Sequence, residues 1–189
     1  MPKKARNAIH RLAINSALVA IYVVLRFFNL SFGDAFRFTL AAFSVVLCAL
    51  LYGPVDGMVV GFVGEFMAQI LGPYGLTPTT LLWCLGETLR GGVLGGLTVL
   101  FIKNWLFHPK TADRHMVIIL LASCIAAGIM ASLGQTLALY VDSKMVGYYN
   151  YDLVFGAMIW RMVTYVVLSI VFGYLSLPII TALRKSKLV

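Results

Sequence analysis

Six apolar stretches follow one another along this chain with little between them, and that pattern leaves few folds open. They run over His10–Leu30, Phe36–Tyr52, Val55–Gly72, Thr79–Leu106, His115–Val141 and Gly156–Leu183. A helix that crosses the hydrocarbon core of a bilayer needs about 20 mostly apolar residues. The second and third stretches are separated only by Gly53-Pro54, a turn signal that predicts a helical hairpin. The fourth and fifth are longer than a bilayer requires, which predicts tilt or extension beyond the lipid. Charged residues make up 12% of the 189 and hydrophobic residues 61%. Too few charges remain to cover a water-facing surface. A soluble enzyme, a disordered tail and a nucleic-acid-binding domain are therefore excluded. The expected fold is an all-α integral membrane protein, residues 1–189 forming a single domain of six transmembrane helices in one bundle.

The distribution of charge predicts the orientation. Lys3, Lys4, Arg6 and Arg11 precede the first span, Lys103, Lys110 and Arg114 lie between the fourth and fifth, and Arg184, Lys185 and Lys187 follow the sixth. With six spans all three groups fall on one side, and basic residues favour the cytoplasm. Both termini are expected there. The opposite loops hold Arg37 and Lys144 with Asp34, Asp142 and Asp152. The first apolar run ends in Arg26-Phe27-Phe28 without a small-residue cleavage site, so it reads as a retained span and not as a signal peptide.

Catalytic motifs are missing from the sequence. It has no Gly-x-x-x-x-Gly-Lys-Ser/Thr loop for ATP, no Gly-x-Ser-x-Gly and no His-Glu-x-x-His. His10, His108 and His115 sit at the cytoplasmic ends of spans, where solvation at the interface accounts for them. Cys48, Cys84 and Cys124 lie in apolar runs, as small packing residues do. No metal site and no cofactor of the chain itself are expected.

Ionisable residues inside a membrane are costly and point to function. Arg26 lies near the outer end of the first span, Arg161 about 8 Å into the sixth, and Arg37 opens the second. Three guanidinium groups near one outer level would suit an anionic ligand, since arginine grips carboxylates. Snorkelling, or pairing with Asp34, Asp142 or Asp152, would account for them equally. Glu65 and Gln69, four apart, and Glu87 and Arg90, three apart, form a second and deeper polar group. That group reads as a buried network joining the third and fourth spans, with direct ligand contact or a proton relay as alternatives. Ser132, Gln135 and Asp142 in the fifth span, and Arg161, Thr164 and Tyr165 in the sixth, would add hydrogen bonds around an outer cavity.

Two outer loops are rich in rings and turn formers: residues 71–80, with Tyr74 and Thr77, and residues 147–152, with Tyr148. With Trp83 they could stack on a flat ligand, or they could form an interfacial aromatic belt. Small residues recur at four-residue spacing in Ala13-x-x-x-Ala17 and Gly57-x-x-x-Gly61, and Gly91, Gly92, Gly95 and Gly96 crowd the fourth span. Such spacing lets helix backbones approach closely.

The chain resembles the substrate-binding S components of energy-coupling factor vitamin transporters, and most of all their folate-type branch. The likeness rests on size, six spans and the order of several motifs. Val23-Val24-Leu25-Arg26-Phe27-Phe28 is similar to the Val-Leu-Ser-Arg-Phe end of the first span in that branch. Leu51-Tyr52-Gly53-Pro54-Val55-Asp56-Gly57 is similar to its Phe-Gly-Pro-x-x-Gly turn. Residues 72–83, Gly-Pro-Tyr-Gly-Leu-Thr-Pro-Thr-Thr-Leu-Leu-Trp, lead into Leu89-Arg90-Gly91 as a Pro-Gly-Thr-rich loop leads into Leu-Arg-Gly in the family. The loop is shorter than the Pro-Thr-Gly-x-Tyr-Phe-Pro-Gly-Phe form of folate-type members.

The resemblance implies an S component in the cytoplasmic membrane of a prokaryote. Such a chain binds a vitamin from outside and works with a transmembrane coupling subunit and two ATPase subunits, which alone use ATP. Arg26, Arg37 and Arg161 would hold a carboxylate. Tyr74, Trp83 and Tyr148 would hold a ring, with Thr77 and Gln135 nearby. Ala13 and Ala17 would face the coupling subunit. Folate or a related pterin is the favoured ligand, with pantothenate or another carboxylated vitamin precursor as the alternative. An autonomous secondary carrier, supported by the Glu65, Glu87 and Arg90 group, and a membrane enzyme or structural subunit are the competing classes.

Overall fold

A computed structural model describes residues 3–32, 36–73, 75–102 and 114–185. In chain order the described residues form α1 (Lys3–Phe27), β1 (Asn29–Phe32), β2 (Phe36–Thr39), α2 (Ala42–Tyr52), α3 (Pro54–Leu71), α4 (Thr80–Trp83), α5 (Leu85–Leu97), a π-helical turn (Thr98–Ile102), α6 (Arg114–Val146), a second π-helical turn (Asp152–Gly156) and α7 (Met158–Lys185). The helices pack in one bundle. α5 lies between α3 and α6, α7 lies against α6 and α2, and α1 flanks α2 and α3.

Among the described residues, five segments are long and apolar enough to cross a membrane: Ile9–Phe27, Pro54–Leu71, Thr80–Ile102, His115–Val146 and Asp152–Leu183. The second expected span differs. Its helix begins only at Ala42, and its 11 residues rise about 16 Å against a hydrocarbon core of about 30 Å. Nine of its residues are buried, so α2 is a core helix surrounded by the others. The residues ahead of it pair instead as an antiparallel hairpin, with Leu30 opposite Phe38 and Ser31 opposite Arg37. Asn-Leu-Ser-Phe and Phe-Arg-Phe-Thr alternate polar and apolar residues at the two-residue period of a strand. Hydrophobicity alone had counted them as helix.

The fourth expected span is also interrupted. A single turn, α4, precedes α5, and the π-helical turn follows it. The fifth helix runs on to Val146, five residues beyond the expected end. The expected α2–α3 hairpin is present. Gly53 adopts φ +93°, a conformation that suits glycine, and Pro54 is the first residue of α3, where a missing N–H costs nothing.

The glycine repeats lie between α3 and α5. A Cβ on Gly91 would stand 2.2 Å from the Gly57 carbonyl oxygen, and one on Gly61 2.6 Å from that of Glu87. One on Gly95 would stand 2.5 Å from Pro54. The two backbones therefore touch along this seam, and these small residues serve packing within the chain. By contrast Ala13 and Ala17 are exposed on α1. Arg11 pins that helix to the hairpin by an ion pair with Asp56 and a bond to the Tyr52 carbonyl, while Asn15 donates to Asp56 at 2.7 Å.

Candidate functional site

Two polar assemblies occupy the half of the bundle at which α1 and α3 finish. The first is buried. Glu65 on α3 is 2% exposed and accepts three donors: the Tyr22 hydroxyl at 2.6 Å, the Gln69 amide at 2.8 Å and the Arg26 guanidinium at 3.3 Å. Tyr22 and Arg26 share one face of α1, as Glu65 and Gln69 share one face of α3. A carboxylate with three donors is well satisfied in a low-dielectric interior. Arg26, expected near the outer level with Arg37 and Arg161, is paired with Glu65.

Glu87 and Arg90 on α5 complete this assembly. Arg90 is 1% exposed, and its Nε lies 3.3 Å from a Glu87 oxygen without an aligned hydrogen bond. The Arg90 guanidinium lies over the Tyr165 ring, 4.9 Å from its centroid. The Tyr165 phenol feels the charges of Glu87, Arg90, Arg26 and Glu65 together. Four helices, α1, α3, α5 and α7, thus converge on one charged centre. Glu65 and Gln69 are bonded to one another and Glu87 stands beside Arg90, but no hydrogen bond or ion pair among the described residues joins the two pairs; Tyr22 and Arg26 attach to the first and Tyr165 to the second. Sequence reasoning missed Tyr22. Its signal was its place four residues before Arg26.

The second assembly joins the two loops. Asp142, near the end of α6, accepts the Thr79 hydroxyl on one carboxylate oxygen and the Tyr148 hydroxyl on the other. The Thr77 N–H donates to the Thr80 hydroxyl at 2.8 Å, and the Thr77 hydroxyl lies 3.2 Å from that of Thr79. Partial desolvation, then the Asp142 carboxylate, pushes the Tyr148 phenol up to about 12. Gln135 donates to the Trp83 carbonyl at 3.2 Å and packs against Gly86. Arg161 donates to the carbonyl of Val154 in the second π-helical turn. Its Nε is buried without a hydrogen-bond partner among the described residues. Tyr149 and Phe155 pack on Tyr140, which keeps the loop against α6.

Thr77, Trp83, Gln135, Tyr148 and Arg161 therefore all lie at the loop end of the bundle. Arg37 stands in β2 and its side chain is not among those described. Tyr74 lies outside the described residues. Asp142 was expected to add hydrogen bonds around an outer cavity, but its partners Thr79 and Tyr148 were not foreseen, because a lone aspartate near a helix end carries no signal of a partner so distant in sequence.

Comparison with known proteins bears on what such a site serves. Residues 10–184 match the family described as ECF transporter, substrate-specific component. A UPF0397 protein of Aliivibrio salmonicida is 29% identical over 96 residues, which are 49% of this chain and 51% of the relative. The match thus spans about half the length of that relative. A solved structure of the S component of a bacterial ECF transporter superposes with a TM-score of 0.54 at 18% identity, covering 93% of this chain and 94% of that one, so the two share a fold. Carried by the match over residues 10–184, the conclusion is that the chain belongs to the family of substrate-specific components of energy-coupling factor transporters.

Proposed function

We propose that the chain captures an anionic vitamin-like molecule at its loop end and passes it inward, with folate or a related pterin favoured and pantothenate next. The loop end faces outward and both termini lie in the cytoplasm, as the basic segments favour. A separate coupling subunit and two ATPase subunits drive release, and the exposed Ala13 and Ala17 face of α1 meets the coupling subunit. The membrane concerned is the cytoplasmic membrane of a prokaryote.

One observation carries the reading. Segments far apart in sequence, 77–83 and 135–161, are tied together at one end through Asp142 and Gln135. Beside these ties are a threonine cluster and the Tyr148 phenol, with Trp83 at the end of the first segment and Arg161 at the end of the second. Polar groups of several kinds around apolar walls are what a selective small-molecule site requires.

The test is a fluorescence titration of the purified chain in detergent with folate, reduced folates, pantothenate, riboflavin, thiamin, biotin and pyridoxine. Trp83 is the reporter, with correction for absorbing ligands. Saturable binding of one carboxylated vitamin is the expected result, together with no uptake into vesicles holding this chain alone. Uptake by the chain alone, or binding only of an uncharged vitamin, would overturn the proposal.

A further inference from the structure

We infer that Arg90 and Arg161, on either side of Tyr165, form one anion subsite that takes the carboxylate of the bound molecule; this rests on the proposed anionic substrate. Three features of the structure support it. The first is the state of the guanidinium groups. Nε and Nη1 of Arg90 and Nε of Arg161 are buried without hydrogen-bond partners among the described residues. Burying such donors unpaired is costly, and a carboxylate relieves that cost.

The second is their placement. Arg161 precedes Tyr165 by four residues on α7, so the two share a helix face. The Tyr165 ring in turn lies under Arg90. One half-buried ring on α7 therefore neighbours a guanidinium of α5 and shares a face with one of its own helix.

The third is the charge balance. Three arginines, Arg26, Arg90 and Arg161, and two glutamates, Glu65 and Glu87, lie in this half of the bundle, and Glu87 stands 3.3 Å from Arg90. Glu65 is already engaged by Tyr22, Gln69 and Arg26. Glu87 is taken by Arg90, so among the described residues Arg161 is left without a carboxylate partner, which a bound carboxylate would supply. Arg26, held by Glu65, becomes a supporting residue of the site.

Calorimetric titration of the full chain in detergent tests this with folate, pantothenate, biotin and nicotinate. Each is paired with its uncharged counterpart: folate dimethyl ester, pantothenol, biotinamide and nicotinamide. The expected result is binding of one carboxylated member, with Arg161→Gln and Arg90→Gln each weakening it by about tenfold to a hundredfold, as loss of a charge-assisted hydrogen bond does. Each variant should weaken binding of the uncharged counterpart at least about tenfold less than binding of the carboxylated member. Arg90→Lys keeps the buried charge and guards against misfolding, and thermal unfolding of each variant reports on its integrity. Unchanged binding in both variants overturns the subsite and leaves the anionic substrate standing. Equal loss for charged and uncharged members also overturns it, because the arginines would then be structural. Absence of binding by all four carboxylated vitamins overturns both readings.

Discussion

Asp142 and Thr79, 63 residues apart in the chain, are joined by a hydrogen bond from the threonine hydroxyl to one carboxylate oxygen. The other oxygen holds Tyr148, so one side chain fastens two loops. Replacing Asp142 by alanine should lower stability by about 1–3 kcal/mol, the range for a buried group that loses charge-assisted partners. Asp142→Asn should cost less. Hydrogen exchange should quicken in both 75–80 and 147–151, and quickening confined to one loop would show that the carboxylate does not couple them.

The Tyr148 phenol should ionise at a higher pH than a free tyrosine does. Its ordinary value is 10.0 and its environment moves it up to about 12. A raised value in the folded state means that the bond to Asp142 contributes fully below about pH 10 and is lost as pH rises through about 12. Subtracting the phenolate absorbance of Tyr148→Phe from that of the native chain isolates this titration. In Asp142→Asn it should move back toward 10.

Glu65→Ala should be among the most damaging single changes, at about 3–5 kcal/mol, because it leaves Arg26 and Tyr22 without their acceptor. Glu65→Gln, which keeps an acceptor for Tyr22, should be milder. Thermal unfolding in one detergent would rank the two. Equal Tm values for both variants and the native chain would mean that α1 is held to α3 by apolar packing alone.

Gly91→Ala should destabilise by about 1–3 kcal/mol or more, because its Cβ would meet the Gly57 carbonyl with no room to yield. Gly96 on the same helix has nothing within 4 Å of a Cβ. There the same substitution should be neutral or stabilising by about 0.5–1 kcal/mol, since alanine favours a helix interior over glycine. A matched pair of unfolding curves separates contact from propensity.

Much of this architecture was legible from period and punctuation. Gly53-Pro54 announced the α2–α3 turn because glycine and proline restrict the backbone in themselves. The spacings of Glu65 with Gln69 and of Glu87 with Arg90 announced shared faces for the same local reason. The start of α2 was misjudged because Phe36 and Phe38 are as apolar as a spanning helix demands, and only their alternation marks a strand. The partner of Arg26 escaped because helical rise locates a Cα, whereas an arginine head lies several bonds away. The partners of Asp142 escaped because they come from segments that only the folded chain brings together. Such long-range pairings are set by packing and leave no trace in local composition.

The bare contact of α3 with α5 also sets where this protein is free to change. No side chain can be added at Gly57, Gly61, Gly91 or Gly95 without parting two backbones. Drift along that seam is closed, and the two helices behave as a fixed keel. Altered ligand preference would therefore have to be written on the other faces of these two helices, on the remaining helices and in the loops.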